Sequence, residues 1–138
     1  TYSLGSCVGI SIYDPVAKVG GLLHAMLPDS TINQDRAASR PYMFVDTGLP
    51  AMFHAVYALG GVKSRLIVKL AGGAEFLDEK KIFRIGHRNV EATLAMLERN
   101  GVNIVASETG GRESRTVRLD LSNGNLTLDL PGKTPYQL

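Results

Sequence analysis

The chain has 138 residues, which is enough for one domain with a single hydrophobic core. Its formal net charge of +2 argues against nucleic acid as a partner, and no apolar run approaches the roughly 18 residues of a membrane-spanning helix. One cysteine and three histidines supply neither a disulfide nor the ligands of a structural zinc site, so we expect no metal and no cofactor. The chain starts at Thr1 without a methionine or a signal peptide, and we expect a further N-terminal segment upstream.

The N-terminal third predicts a β-hairpin followed by a long loop. Residues 6–13 alternate small or polar with apolar side chains, as a half-buried strand does. Residues 14–17 contain Pro15 at the second position of a type I turn, and a second strand is predicted over 18–27. Residues 28–43 are mostly polar with two prolines, which predicts a loop of a length that often carries function.

The remaining residues predict helices that alternate with strands. Asp46 or Thr47 is the expected cap of a helix to about Leu59, with an apolar face of Val45, Leu49, Met52, Phe53 and Val56. A second helix is predicted over 88–99, with an apolar stripe of Val90, Leu94 and Leu97. The later strands are predicted at 65–70, 102–107, 116–121 and 126–130, the last two joined by a hairpin turn at 122–125. Residues 1–138 therefore predict one α/β domain, with at least two helices on a mixed, largely antiparallel sheet.

The hairpin suggests a pairing of the only cysteine with a histidine. If residues 14–17 form the loop, Tyr13 pairs with Lys18, and Cys7 then lies opposite His24 on the same face. Opposed residues have Cβ atoms about 4.5–5.5 Å apart, within reach of a thiolate–imidazolium pair. The small residues around Cys7, which are Gly5, Ser6 and Gly9, are expected to leave space for a carboxamide substrate.

This pairing predicts nucleophilic catalysis. An adjacent imidazolium is expected to lower the pKa of the Cys7 thiol from about 8.5, and the thiolate then attacks an amide carbonyl. His24 protonates the departing ammonia, and water hydrolyses the thioester. A buried cysteine with an unrelated histidine remains the alternative. Of the other histidines, His54 is predicted on a solvated helix surface, and His87 in a loop before the second helix, where it could contact an anion.

Several motifs resemble those of the CheD family of chemoreceptor glutamine deamidases. The first two are Thr1-x-x-Leu4-Gly5-Ser6-Cys7-Val8 and the run from Gly20-Gly21 to His24-Ala25-Met26-Leu27-Pro28. The others are Ala71-Gly72-Gly73-Ala74, Ile85-Gly86-x-Arg88-Asn89-Val90, and Thr109-Gly110-Gly111 after Glu108. They follow the order of the family along nearly the whole chain.

The resemblance implies a catalytic triad, a fold and a cellular role. Cys7 corresponds to the nucleophile, His24 to the base, and Thr1 to the residue that orients the histidine, provided that the chain bends at Leu4-Gly5. The implied active-site rim or substrate-binding residues are Gly5, Ser6, Gly72, Gly73, Arg88, Asn89, Thr109 and Gly110. The implied fold is a three-layer α/β sandwich.

The implied reaction converts glutamine to glutamate in the cytoplasmic domains of methyl-accepting chemotaxis receptors. Glutamyl methyl ester hydrolysis is a further implied activity, the chemotaxis phosphatase CheC an implied partner, and the cytoplasm the implied location. The alternative is a non-catalytic module that stimulates or sequesters CheC. We would expect such a module to dispense with Cys7 and His24.

Two sequence features leave other interpretations open. Gly72-Gly73 and Gly110-Gly111 could cradle a phosphate or nucleotide, although neither has the ending of a P-loop, which favours turns at the rim. Five arginines form a basic cluster in sequence that either steers acidic receptor helices or is simply solvated: Arg84, Arg88, Arg112, Arg115 and Arg118. Arg88-Asn89 could instead brace an active-site loop.

Overall fold

A computed structural model describes residues 1–75 and 83–138. Within them the helices are α1 (Gln34–Ser39), α2 (Val45–Ala58) and α3 (Ile85–Arg99), with short 3₁₀ turns at Ser30–Ile32, Pro41–Met43 and Lys63–Arg65. The strands are β1 (Val8–Asp14), β2 (Val19–Ala25), β3 (Ile67–Gly72), β4 (Ile104–Thr109), β5 (Thr116–Asp120), β6 (Asn125–Asp129) and β7 (Tyr136–Gln137). None of the helices within these ranges is long and apolar enough to cross a membrane.

The strands form two sheets. The first has the order β2-β1-β3-β4, in which β1 is antiparallel to both neighbours and β3 is parallel to β4. The second is the antiparallel sheet β5-β6-β7, whose first two strands form the predicted hairpin. The prediction of a mixed, largely antiparallel sheet with at least two helices is confirmed.

Two hydrophobic cores lie on opposite sides of the four-stranded sheet and give the fold three layers. Val8, Ile10 and Ile12 pack in one core with buried residues of α2 and α3. On the opposite side of the four-stranded sheet, a second core joins Leu4 and Ala71 to Val117, Leu126, Leu128 and Leu130 around the three-stranded sheet. Because both faces of the four-stranded sheet are covered, every residue of β1 is buried. The expected three-layer α/β sandwich is therefore confirmed.

The segment 28–43 is not the single loop that its composition predicts. It contains α1, which the side chain of Asn33 caps by accepting from the N–H of Arg36. Asp46 and Thr47 do not cap α2, which was a wrong prediction. The carboxylate of Asp46 instead accepts from the N–H and hydroxyl of Ser30, and Thr47 donates to the carbonyl of Pro41. Both side chains bind this segment to α2, which explains why they are unavailable for capping.

Helix α3 starts three residues earlier than predicted, and its predicted apolar stripe is confirmed in part. Leu97 is buried and Val90 packs against the core, whereas Leu94 is 41% exposed. The buried face also includes Gly86, Asn89 and Thr93, which an apolar pattern does not detect. His87 is also in this helix rather than in a loop, with Nε2 2.9 Å from Oε1 of Glu91. His54 is exposed on α2, as predicted.

Asp14 anchors the β1–β2 hairpin to the segment before β3. Its carboxylate accepts from the N–H groups of Val16 and Ala17 and from Arg65 Nε and Nη2, at 2.8–3.0 Å. Burial alone would raise the pKa of Asp14, but Arg65 and the backbone N–H donors, which include Val62, outweigh it and hold the pKa well below the usual 3.8.

We expect Asp14→Asn to destabilise the fold, because an amide cannot replace the buried carboxylate beside Arg65. A depressed folded pKa contributes stability that is fully present above 3.8 and is lost as the pH falls below it. The difference in urea midpoint between the wild type and Asp14→Asn should therefore narrow from pH 7 towards pH 3. Asp35→Asn, an exposed carboxylate on α1, is the control. A difference in urea midpoint that stays constant from pH 7 to pH 3 would contradict the depressed pKa of Asp14.

Candidate active site

The register of the β1–β2 hairpin differs by two residues from the prediction. Val8 pairs with Ala25 and Gly9 with His24, because Asp14 belongs to β1 and the loop is 15–18. Cys7 is therefore not opposite His24 but two residues further out, in the diagonal position. A shift of two preserves the face of the sheet, since side chains alternate with a period of two.

Cys7 and His24 lie at the end of the four-stranded sheet, on the face that the second sheet covers. Cys7 and Leu22 pack against the core of that second sheet, and His24 shares the face of Leu22 by alternation along β2. The expectation that Gly9 leaves space for substrate was wrong. A Cβ on Gly9 would lie 2.7 Å from Cδ1 of Leu4, so the side chain of Leu4 already fills that space.

The N-terminal segment brings Thr1 to His24. The backbone nitrogen of Thr1 donates to the carbonyl of Val117 (2.7 Å), and the N–H of Val117 donates to the carbonyl of Thr1 (2.8 Å). Ser3 has a φ of +52°, so the chain bends earlier than the predicted Leu4-Gly5. The hydroxyl Oγ1 of Thr1 then lies 2.8 Å from Nδ1 of His24. The three residues of the expected triad thus come from β2 and from the segment that precedes β1.

The second ring nitrogen of His24 is buried and unused. Nε2 has no hydrogen-bond partner among the described residues. Burial lowers the pKa of His24 from its ordinary 6.5. The imidazole is therefore neutral at pH 7. When Nδ1 donates to Thr1 Oγ1, Nε2 carries the lone pair that can accept a proton.

The surroundings of the Cys7 thiol favour its protonated form. Burial raises its pKa above 9.0, and the backbone N–H of Cys7 offsets this rise only in part. Covering by the second sheet desolvates both groups and disfavours their charged forms. The two pKa shifts therefore act against the thiolate–imidazolium pair that the sequence predicts, and they favour a neutral thiol and a neutral imidazole.

Two glycines hold the loop of the nucleophile. Gly72 has a φ of +100°, and a Cβ there would lie 2.4 Å from the carbonyl oxygen of Cys7. The N–H of Gly73 donates to that same carbonyl at 2.7 Å, while the carbonyl of Gly72 accepts from Gly110 at 2.8 Å. These N–H groups therefore bind the protein's own carbonyls, which disfavours the phosphate-cradle interpretation of the two glycine pairs.

The other predicted rim residues divide into two groups. Gly5 accepts from the N–H of Ala74 at 2.7 Å, and Thr109 ends β4 opposite Gly72, so both belong to the loops around Cys7. The buried Asn89 donates from Nδ2 to the carbonyl of Ser6, which precedes Cys7. Arg88 is exposed and, with Asp29 and Glu91, lines a separate cleft at α3. The side chain of Arg88 leaves α3 about 100° around the helix from that of Asn89, and its place at the rim stays a prediction.

Sequence reasoning missed two residues of the site. Arg115 was grouped with a basic cluster, but its side chain is only 4% exposed and pairs with Glu108 at 3.2 Å. Its backbone exchanges two hydrogen bonds with Leu4, which aligns the N-terminal segment with β5. Met26, just beyond His24, accepts from Asn89 through its carbonyl and leaves its side chain 46% exposed. An isolated arginine between polar residues gives no sequence signal of burial.

Other regions lack the features of a second reactive site. Within residues 1–75 and 83–138, no group of three His, Cys, Asp or Glu side chains could hold a metal ion. A cavity of about 190 Å³ lies between α2 and α3, and its walls include Leu49, Phe53 and Met96. None of the residues around Cys7 lines this cavity.

Comparisons with known proteins point to one family. The family described as CheD chemotactic sensory transduction matches residues 26–129. This range begins just after His24, so the match does not include the three residues of the expected triad.

Named relatives match over almost the whole chain. The probable chemoreceptor glutamine deamidase CheD 1 of Syntrophus aciditrophicus is 48% identical over 132 residues, which cover 96% of this chain and 82% of that protein. The probable chemoreceptor glutamine deamidase CheD of Desulforamulus reducens is 50% identical over 131 residues (93% and 78%). The protein of the same name from Pyrococcus abyssi is 47% identical over 130 residues (93% and 78%). With a family match over well over half of its length and relatives this similar, the chain belongs to the CheD family.

Proposed function

We propose that this chain hydrolyses the side-chain amide of glutamines in chemotaxis receptors, releasing ammonia and leaving glutamate. The observation that carries the proposal is the hydrogen bond of 2.8 Å between Thr1 Oγ1 and His24 Nδ1. It leaves Nε2 of His24, which shares a face of the sheet with Cys7, without a hydrogen-bond partner among the residues that the structure describes. A nucleophile, a base and a group that orients the base are the parts that cysteine hydrolases require. The names of the relatives supply the substrate.

The reaction starts from neutral groups. His24 Nε2 takes the thiol proton of Cys7 as Sγ attacks the carboxamide carbon, which gives a tetrahedral intermediate. The backbone N–H of Cys7, which favours negative charge on its own sulfur, is available to donate to the oxyanion. The C–N bond then breaks, and the imidazolium gives its proton to the nitrogen that leaves as ammonia. Thr1 stabilises the imidazolium through Nδ1 in both stages.

Hydrolysis of the thioester completes the cycle. His24 removes a proton from water, the hydroxide attacks the acyl carbon, and the Cys7 thiol is regenerated as the leaving group. The balance is one glutamine and one water to one glutamate and one ammonia. A glutamyl methyl ester would follow the same path with methanol as the leaving group, so we include ester hydrolysis in the proposal.

Exposed apolar side chains support a protein substrate and a protein partner. Tyr2 follows Thr1 in the sequence and is 75% exposed. Met26 lies two residues after His24 and is 46% exposed. Tyrosine and methionine are enriched where proteins contact one another. We propose the cytoplasmic domains of the receptors as substrate, the phosphatase CheC as a second partner, and the cytoplasm as the location.

Mass spectrometry of a receptor fragment tests the function. A glutamine-bearing cytoplasmic fragment incubated with the wild type should gain about 1 Da at specific glutamines, whereas Cys7→Ala should lower the rate by about 10⁴-fold or more. Cys7→Ala should still bind CheC, which separates catalysis from the alternative of a non-catalytic module. Conversion at an unchanged rate by Cys7→Ala would refute the assignment of the nucleophile. No conversion by wild-type protein that does bind CheC would favour the binding module.

A further inference from the structure

Asn89 connects the backbone on both sides of the proposed catalytic pair. Its side chain is fully buried on α3, and Nδ2 donates to the carbonyl of Ser6 at 2.8 Å and to that of Met26 at 2.9 Å. Ser6 immediately precedes Cys7, and Met26 lies just beyond His24. Both N–H bonds of one amide group therefore act on the two segments that carry the reactive side chains.

The hydrogen bonds of Asn89 join the two segments beyond the end of the β1–β2 ladder. The pairing of β1 with β2 ends at Val8 and Ala25, so Ser6 and Met26 are beyond the last pair of the ladder. Cys7 is also outside the ladder, and its position relative to His24 is not fixed by hydrogen bonds between the two strands. The amide of Asn89 supplies the missing connection.

The position carries a cost in stability. Oδ1 of Asn89 is buried and has no hydrogen-bond partner among the described residues. An unpaired buried acceptor is unfavourable, and asparagine is a poor residue for the interior of a helix. An apolar side chain would avoid both costs but would remove the donor to the carbonyls of Ser6 and Met26, so the role of the amide group lies in these two bonds rather than in packing.

We propose that Asn89 is a positioning residue that sets the separation between the Cys7 thiol and His24 Nε2. The proposal deepens the proposed function, but it concerns the thiol–imidazole pair and can be measured without a receptor. Loss of the amide should let the segment of Ser6 and the segment of Met26 move apart, which weakens proton transfer from Cys7 to His24.

Alkylation of Cys7 by iodoacetamide, followed from pH 5 to pH 10, measures this coupling. Asn89→Ala should lower the alkylation rate at pH 7 by about tenfold and give a pH profile that approaches that of His24→Ala. Adding Asn89→Ala to His24→Ala should change the profile little, because the two act on one interaction. Asn89→Leu keeps the number and branching of the side-chain heavy atoms without the donors and should behave as Asn89→Ala does, which guards against an effect of the cavity that alanine leaves.

Thr93→Val is the matched control for stability. Thr93 is also fully buried, lies one turn later on α3, and donates to the carbonyl of Asn89, but it contacts neither Ser6 nor Met26. The Thr93→Val substitution should lower the urea midpoint and leave the pH profile of Cys7 alkylation unchanged. Wild-type alkylation profiles for Asn89→Ala and Asn89→Leu would overturn the proposal and leave a purely structural role. If wild-type protein converts no receptor glutamine, the proposed function fails, while the alkylation profiles still decide the role of Asn89.

Discussion

Replacing His24 with alanine is expected to lower kcat for receptor deamidation by about 10²- to 10⁴-fold, because general acid–base catalysis by one side chain contributes that much. The loss should be in kcat rather than in KM, since Nε2 acts on protons in the transition state. His54→Ala is the matched control, because His54 is exposed on α2 and contacts none of the triad residues. Its kcat should equal that of the wild type.

The pH dependence of the wild type gives a second measure of the same residue. Burial lowers the pKa of His24, so activity should appear as the pH rises through a value below 6.5. Burial raises the pKa of Cys7, so activity should fall only above pH 9.0. There the thiol loses its proton to solvent, and His24 has no proton to give to the leaving ammonia. The two limbs belong to the pair and not to either residue alone. If the alkylation rate of Cys7 instead followed a pKa well below 7, the resting site would hold a thiolate–imidazolium pair. That result would contradict a His24 pKa that lies below the Cys7 pKa.

The sequence placed Cys7 and His24 on one face even though the register was wrong. Alternation along a strand has a period of two, and the error was two residues, so the faces were preserved. The charge state could not be obtained in the same way. It depends on burial by the second sheet, which packs against Cys7 through contacts distant in sequence.

Residues that act through backbone groups left little trace in the sequence. Asn89 binds two carbonyls, and every residue offers a carbonyl, so nothing in Ser6 or Met26 marks them as its partners. Thr1 was found through the family resemblance alone, because its contact with His24 depends on pairing with Val117 more than a hundred residues away. Asp46 was predicted as a cap because its type favours caps, but a tertiary contact with Ser30 used its carboxylate.

Gly72→Ala is expected to lower kcat by more than the backbone strain of an alanine at this φ angle would explain. A φ of +100° costs an alanine roughly 1–2 kcal/mol, and a Cβ would also lie 2.4 Å from the carbonyl oxygen of Cys7. That oxygen belongs to backbone and cannot move without displacing the nucleophile. A displacement of about 1 Å can lower kcat by about 10²-fold, and we expect a loss of that order in receptor deamidation.

Gly60→Ala isolates the strain from the clash. Gly60 has a φ of +97°, close to that of Gly72, but a Cβ there would meet nothing within 4 Å. Gly60→Ala should therefore lose roughly 1–2 kcal/mol of unfolding free energy in urea and keep wild-type kcat, whereas Gly72→Ala should lose more stability and most of its activity. Equal effects of the two substitutions on kcat would mean that the loop of Cys7 tolerates a side chain at Gly72. The difference between the two variants reports the close contact between Gly72 and Cys7, because the φ angles of the two glycines are nearly equal.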